Sequence, residues 1–156
     1  MEVKDIVDLD IVKTNMTAKT KDDALNDLAN QLLDNGYISE VDGFIKDIYA
    51  REAEGQTGIG NYIAIPHGKS PHVKETTVAF GRLTKQVDWQ SLDGENVGLV
   101  FLLAVPEDCQ GDQHLKIIAG LSRKLVHQEF RNTLQQATSD QEIVNLLTDS
   151  LAGVVI

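Results

Sequence analysis

The chain has a single cysteine, Cys109, among its 156 residues. One thiol cannot close an internal bridge, so a disulfide scaffold is excluded and a reducing, cytoplasmic setting is expected. Proline is scarce: Pro66, Pro71 and Pro106 stand apart, and no Pro-rich linker or low-complexity tract divides the chain. No apolar run approaches the roughly 18 residues that a membrane-spanning helix needs. Met1 to Asp10 lacks the apolar stretch of a secretory leader. Basic residues are outnumbered, 14 Lys+Arg against 24 Asp+Glu, for a net charge of −10. Such a surface repels nucleic-acid phosphates and anionic lipid, which excludes a nucleic-acid role and direct membrane adhesion. It attracts a basic protein partner. What remains, 42% hydrophobic and 24% charged residues, is the composition of one globular domain spanning residues 1–156.

Thr20-Lys21-Asp22-Asp23 reads as a helix start, with acids near the positive end of the dipole. Ala24, Leu25, Leu28, Ala29, Leu32 and Leu33 recur at helical spacing, and Gly36 stands where a helix ends. Ser39-Glu40-Val41-Asp42 reads as a capping box opening a second helix, which runs to about Arg51 with Val41, Phe44, Ile45, Ile48 and Tyr49 on its apolar face. Tyr62–Ile65 reads as a short strand stopped by Pro66, where the chain is expected to leave the sheet. Residues 76–83 read as another strand, and the nearly all-apolar Val97–Val105 as a central strand buried on both faces. A helix is expected from Asp112 to about His127, with Leu115, Ile117, Ile118, Leu121 and Leu125 in the core. Ser139-Asp140-Gln141-Glu142 caps a last helix. Helices interleaved with short strands predict a layered α/β domain.

The chemistry concentrates in Arg51–Gly68, REAEGQTGIGNYIAIPHG. Glycine-rich loops let backbone N–H groups converge on an anion, and Thr57, Gly58, Ile59 and Gly60 are candidates for that role. Two nucleotide loops are excluded. The G-x-G-x-x-G pattern fails at Ile63, and the P-loop pattern fails because Asn61-Tyr62 replaces Lys-Ser/Thr. His67 follows Pro66 at the carboxyl end of a strand, where α/β folds place their sites. An imidazole there serves as nucleophile, base or metal ligand, or is tied structurally to a carbonyl. His114, in the first turn of a helix, is either a donor to an anion or a solvent-facing polar residue. Arg51 offers a permanent guanidinium fork suited to phosphate, or simply the cation that favours a helix end. His72, in a polar loop, and His127, near a helix end, read as structural. The four histidines lack the H-x-x-x-H spacing of a zinc site, and no G-x-S-x-G elbow is present, so no metal site and no serine hydrolase is expected.

Thr57–Gly68, TGIGNYIAIPHG, with Arg51-Glu52 before it, closely resembles the enzyme IIA domains of the bacterial sugar phosphotransferase system, of the fructose/mannitol type. Asp112-Gln113-His114-Leu115 resembles that family's second-histidine segment, and Val97–Pro106 the strand preceding it. The resemblance implies a three-layer α/β/α sandwich with a mixed sheet. It implies a transferase component whose phosphohistidine, His67 by motif position, receives a phosphoryl group from the phosphocarrier HPr. The group then passes to a cysteine of a sugar-specific IIB domain, with the membrane reached only indirectly through a IIC transporter. By the same match His114 is the second active-site histidine and Arg51 the active-site arginine. No cofactor is implied. Two alternatives of the same fold are a regulatory, nitrogen-related IIA and a non-enzymatic binding module like the cytoplasmic domains of anion exchangers. The second needs no phosphoacceptor histidine.

Tyr62 departs from the family, many of whose members carry a small residue there, often glycine. A tyrosine predicts ordinary β backbone at this position. Its side chain is expected to pack in the core, or else to stand at a pocket rim facing a protein partner.

Overall fold

The computed structural model describes residues 7–91, 93–108 and 113–152. After a short 3-10 turn, Leu9–Ile11, the elements are β1 (Val12–Met16), α1 (Lys21–Asp34), α2 (Val41–Glu52), β2 (Gly58–Gly60), β3 (Ile63–Ala64), β4 (His67–Ser70), β5 (Thr77–Val87), β6 (Val97–Pro106), α3 (Gln113–Leu125), α4 (Gln128–Gln136) and α5 (Asp140–Leu151).

The helix signals act as expected at α1 and α5. Thr20 Oγ1 accepts from Asp23 N–H, and Ser139 Oγ from Glu142 N–H. Past the end of α1, Gly36 at φ +82° lets Tyr37 N–H reach Leu32 C=O and its own N–H reach Leu33 C=O, which satisfies two orphan carbonyls. The expected capping box of α2 does not form. Its N-cap is Glu40, without a side-chain bond. Ser39 is drawn away because its N–H donates to His72 C=O beside the Ile38–Val73 bridge.

The sheet runs β1-β5-β6-β3-β2, with β4 also on β6. The β5/β6 and β2/β3 pairs are antiparallel, while β1/β5, β3/β6 and β4/β6 are parallel, so the sheet is mixed. One face meets α1 and α2 through residues such as Ala79, Val100, Leu102 and Ala104 against Leu25, Leu28, Phe44 and Ile48. The other meets α3, α4 and α5 through Phe80, Leu99, Phe101 and Leu103 against Ile117, Leu121, Leu134 and Ile143. This is the three-layer α/β/α sandwich. Strand β6 is buried from Val97 to Val105, as its apolar run requires. Phe80 and Phe101 meet edge to face at 5.1 Å and 65° in the second layer, a geometry worth about 1 kcal/mol beyond area burial.

Four further expectations are not met. Pro66 does not send the chain out of the sheet. Proline lacks only the N–H, and its carbonyl still accepts from Leu103 N–H at 2.9 Å. Pairing with β6 therefore resumes at His67 in the same register, His67 facing Leu103 as Ala64 faces Val100. The helix expected to reach His127 breaks after Leu125 and α4 follows, with His127 at its N-cap. Leu115 is not core but 54% exposed. Tyr62 is not β: Asn61 and Tyr62 have φ of +56° and +67°. These two residues are the whole loop of the β2–β3 hairpin, and the turn that matches strand twist needs positive φ at both. The hairpin thereby points the Tyr62 carbonyl at the N–H groups of both Gly98 and Leu99 in β6. The Tyr62 ring is 40% exposed.

Candidate active site

His67 opens β4 and Arg51 ends α2, and their meeting depends on how closely that helix lies on that strand. Gly68 makes the approach possible. A Cβ there would stand 2.9 Å from Phe44 Cε1 and 3.0 Å from Ile48 Cγ1. With only hydrogen in that space, α2 settles on β4. Arg51 then donates from Nε to His67 Nε2 at 2.9 Å, and from Nη1 to Gly55 C=O at 2.9 Å.

The other imidazole nitrogen, Nδ1, lies 3.1 Å from the Ile65 carbonyl. A carbonyl only accepts, so Nδ1 carries the proton. Arg51 donates to Nε2, so Nε2 keeps its lone pair. The two partners select one neutral tautomer. The pKa of His67 is lowered from its ordinary 6.5, first by burial and then by the charges of Arg51 and His114. The Ile65 hydrogen bond and the Glu52 carboxylate oppose that shift. At neutral pH the ring is an uncharged base with its free electron pair on Nε2.

The ring of His114, in the first turn of α3, has its centroid 6.0 Å from that of His67, tilted by 32°. Both histidines and Arg51 line one open cleft of about 360 Å³, together with Asp47, Ala50, Glu54 and Lys69. The sequence picks out the first three of these. Asp47, Glu54 and Lys69 went unnoticed because isolated charges on a helix and a strand carry no motif. The structure brings His67, His114 and Arg51 to one point. Asp112 and Cys109 lie outside the described residues.

Thr57, Gly58, Ile59 and Gly60 do not line this cleft. Gly58–Gly60 forms β2 and pairs with β3, with Gly60 at φ +94°. The Thr57 hydroxyl points inward, donating to Glu52 Oε1 and accepting from Trp89 Nε1 at 3.4 Å. Glu52 in turn pairs with Lys21 at 2.9 Å, and the Lys21 ammonium lies 5.2 Å from the Trp89 ring centroid. Glu52, Trp89 and Lys21 thus form a support behind the site that sequence reasoning missed. His72 stands elsewhere, 3.6 Å from Glu40, in a space that Gly43 leaves open. Among the described residues no cluster of His, Cys, Asp and Glu suits a metal ion, and no helix is long and apolar enough to cross a membrane.

An uncharged imidazole flanked by a guanidinium and a second imidazole suits transfer of an anionic group. Comparison with known proteins points the same way. The chain is 40% identical over 129 residues to the PTS system fructose-like EIIA component of Escherichia coli K12, covering 83% of this chain and 86% of that protein. It is 33% identical over 150 residues to the 2-O-alpha-mannosyl-D-glycerate-specific EIIABC component of the same organism. That match covers 96% of this chain but only 23% of the longer protein. In structure it is similar to the nitrogen regulatory protein IIA-Ntr of Neisseria meningitidis, with a TM-score of 0.84 and 31% identity, over 93% of this chain and 98% of that one. Residues 5–150 match the family model described as phosphoenolpyruvate-dependent sugar phosphotransferase system, EIIA 2, and the chain belongs to that family.

Proposed function

We propose that His67 accepts a phosphoryl group on Nε2 from the phosphohistidine of HPr and passes it to a cysteine of a IIB domain during sugar uptake. The observation that carries this reading is the imidazole itself, held neutral with its lone pair on Nε2 in an open cleft. The lone pair attacks phosphorus as the donor's P–N bond breaks, and no proton has to leave first. Nδ1–H stays on the Ile65 carbonyl, so the product carries its phosphoryl group on a cationic ring, from which neutral imidazole is a good leaving group. A cysteine thiolate then takes the phosphoryl group, forming P–S as P–Nε2 breaks and returning the ring to its neutral form. The transition state is loose, so positioning and charge do most of the catalysis.

Arg51 gives up its bond to Nε2 when phosphorus arrives and donates to a phosphoryl oxygen, still anchored through Gly55. His114 donates to another oxygen from the facing side. Thr57 serves from behind, its carbonyl holding the Ile65 N–H two residues before His67, while Gly58–Gly60 hold β3. The net charge of −10 favours encounter with a basic donor surface at its periphery. The setting is cytoplasmic, and residues 1–156 act as one phosphocarrier domain. No metal or cofactor takes part.

The likeness to IIA-Ntr favours one other reading, a regulatory IIA with the same phosphochemistry and different partners. Quench-flow transfer from purified phospho-HPr, followed by addition of a fructose-type IIB domain, separates them. A transporter component hands its label to the IIB cysteine within the mixing series. Rapid labelling with no handover to any fructose- or mannitol-type IIB supports the regulator, and no labelling at all refutes both.

A further inference from the structure

Arg51 and Glu52 are neighbours in sequence, yet they serve opposite nitrogens of the same imidazole. Arg51 reaches Nε2 directly. Glu52 reaches Nδ1 through two intermediaries. Its Oε1 holds the Thr57 hydroxyl, the Thr57 carbonyl accepts from Ile65 N–H at 2.9 Å, and the Ile65 carbonyl accepts from His67 Nδ1–H at 3.1 Å. Each link is a hydrogen bond between groups with little freedom. Thr57 is buried, and Trp89 Nε1 fixes its hydroxyl from a second side. The Glu52 side chain is 8% exposed, and its other oxygen is occupied by Lys21. Both ends of the intervening loop are tied down, Gly55 by Arg51 and Thr57 by Glu52. A buried carboxylate is costly unless every lone pair finds a partner, so its place here asks for a reason beyond packing.

We propose that Glu52 is a positioning residue for phosphoryl transfer, acting through Thr57 and Ile65 to hold His67 in the Nδ1–H tautomer with Nε2 free. The role rests on the reading of His67 as phosphoacceptor. Lys21 completes the device by pairing with the other carboxylate oxygen of Glu52 at 2.9 Å, and a hydroxyl bond to a carboxylate is charge-assisted and about twice as strong as a neutral one. Without it Thr57 rotates, the 53–57 loop relaxes, and the Ile65 carbonyl no longer selects which nitrogen carries the proton. The wrong tautomer offers phosphorus an N–H in place of a lone pair.

Two measurements on the full chain test this. The first is the pair of imidazole ¹⁵N shifts of His67, which report the tautomer without any phosphotransfer. The second is the rate of labelling from phospho-HPr. Thr57→Val removes the hydroxyl at nearly constant volume. It is expected to mix Nε2–H tautomer into the His67 signal and to slow labelling about tenfold, the cost of a displacement of roughly half an ångström where 1 Å costs about 100-fold. Thr57→Ser, which restores the hydroxyl, is expected to recover both readouts. If Thr57→Val does not fold, Glu52→Gln carries the test, since it keeps an acceptor but removes the charge. It is expected to shift the tautomer in the same direction by less. Unchanged ¹⁵N shifts and rate in whichever of these variants folds overturn the proposal, as does a Thr57→Ser variant that behaves like Thr57→Val. Failure of the unmodified protein to label at His67 would instead overturn the phosphoacceptor reading, and the tautomer shifts would still judge whether Glu52 positions the ring.

Discussion

Adding one methyl group at Gly68 tests how the site is assembled. Gly68 lies within β4, outside the left-handed region, so alanine meets no backbone penalty there. The entire effect comes from the new Cβ. It would sit 2.9 Å from Phe44 Cε1 and 3.0 Å from Ile48 Cγ1, both on fully buried side chains of α2. Real Cβ contacts open to about 3.5–4.0 Å, so α2 has to rise from the sheet by several tenths of an ångström. Overpacking of this kind costs about 1–3 kcal/mol. For a domain of this size each kcal/mol lowers Tm by about 2–4 °C, so Gly68→Ala melts roughly 2–12 °C lower. The functional consequence follows from where α2 ends. Arg51 rides on the helix, so its Nε moves off His67 Nε2 by a similar distance. If 1 Å of misplacement costs about 100-fold, a shift of roughly 0.3 Å slows labelling about fourfold. Thermal unfolding followed by circular dichroism, with stopped labelling of folded protein well below Tm, measures both. A variant that melts within 1 °C of the parent and labels at the parent rate would refute the argument that glycine sets the helix–strand distance.

Tyr62→Gly removes a partly exposed ring but relieves left-handed strain of about 1–2 kcal/mol, so Tm is expected within about 3 °C of the parent. A loss of 3–5 kcal/mol, the scale of a buried aromatic, would return Tyr62 to the core and contradict the hairpin. His67 titrates below its ordinary 6.5 in the folded chain, so as pH falls the unfolded chain takes up the proton first. Stability from this group is therefore intact above pH 6.5 and declines below it until the folded ring itself protonates. The labelling rate should stay flat down through 6.5 and fall only below, and a half-maximal rate at 6.5 or higher would show that the ring is not depressed. Arg82 donates to Thr14 C=O and to the carbonyls of Leu134, Gln135 and Ala137 at the end of α4. Arg82→Met should cost roughly 1.5–3 kcal/mol in denaturant unfolding without changing the tautomer of His67, and a cost below 0.5 kcal/mol would contradict the capping role.

What the sequence makes legible follows from what each element buries. Strand β6 and helix α1 are plain because their apolar residues are dense and their ends carry Thr20 and Gly36. Strand β1 hides because its buried positions are Val12, Thr14 and Met16, and a threonine breaks the apolar alternation. Thr14 is satisfied by Asp140, from the far end of the chain, which no local pattern reveals. Strand β4, His67–Ser70, contains no apolar side chain at all and exists through its pairing with β6. Helix α4 escapes notice because Leu134 is its one fully buried residue among those described. The β2–β3 hairpin is disguised by Asn-Tyr where Asn-Gly would announce it.

The site divides along the same line. His67, Arg51 and His114 were legible because a motif names them. The Glu52–Thr57–Trp89 support was not, since Lys21 and Trp89 lie far in sequence from Glu52 and Thr57 and meet them only in the fold. The glycine loop suggested an anion nest, but Gly58–Gly60 pairs with β3 and lies outside the lining of the cleft.

The central claim, that His67 Nε2 carries the phosphoryl group, is tested most directly by mapping the modified residue. The protein is incubated with phosphoenolpyruvate, enzyme I and HPr, digested at alkaline pH, and the phosphopeptides are sequenced by mass spectrometry beside a His67→Ala control. The account predicts one acid-labile, base-stable adduct on the peptide containing His67, on Nε2 by ³¹P–¹⁵N correlation, and none in the variant. A phosphoryl group on His114, or a label that persists undiminished in His67→Ala, would contradict it.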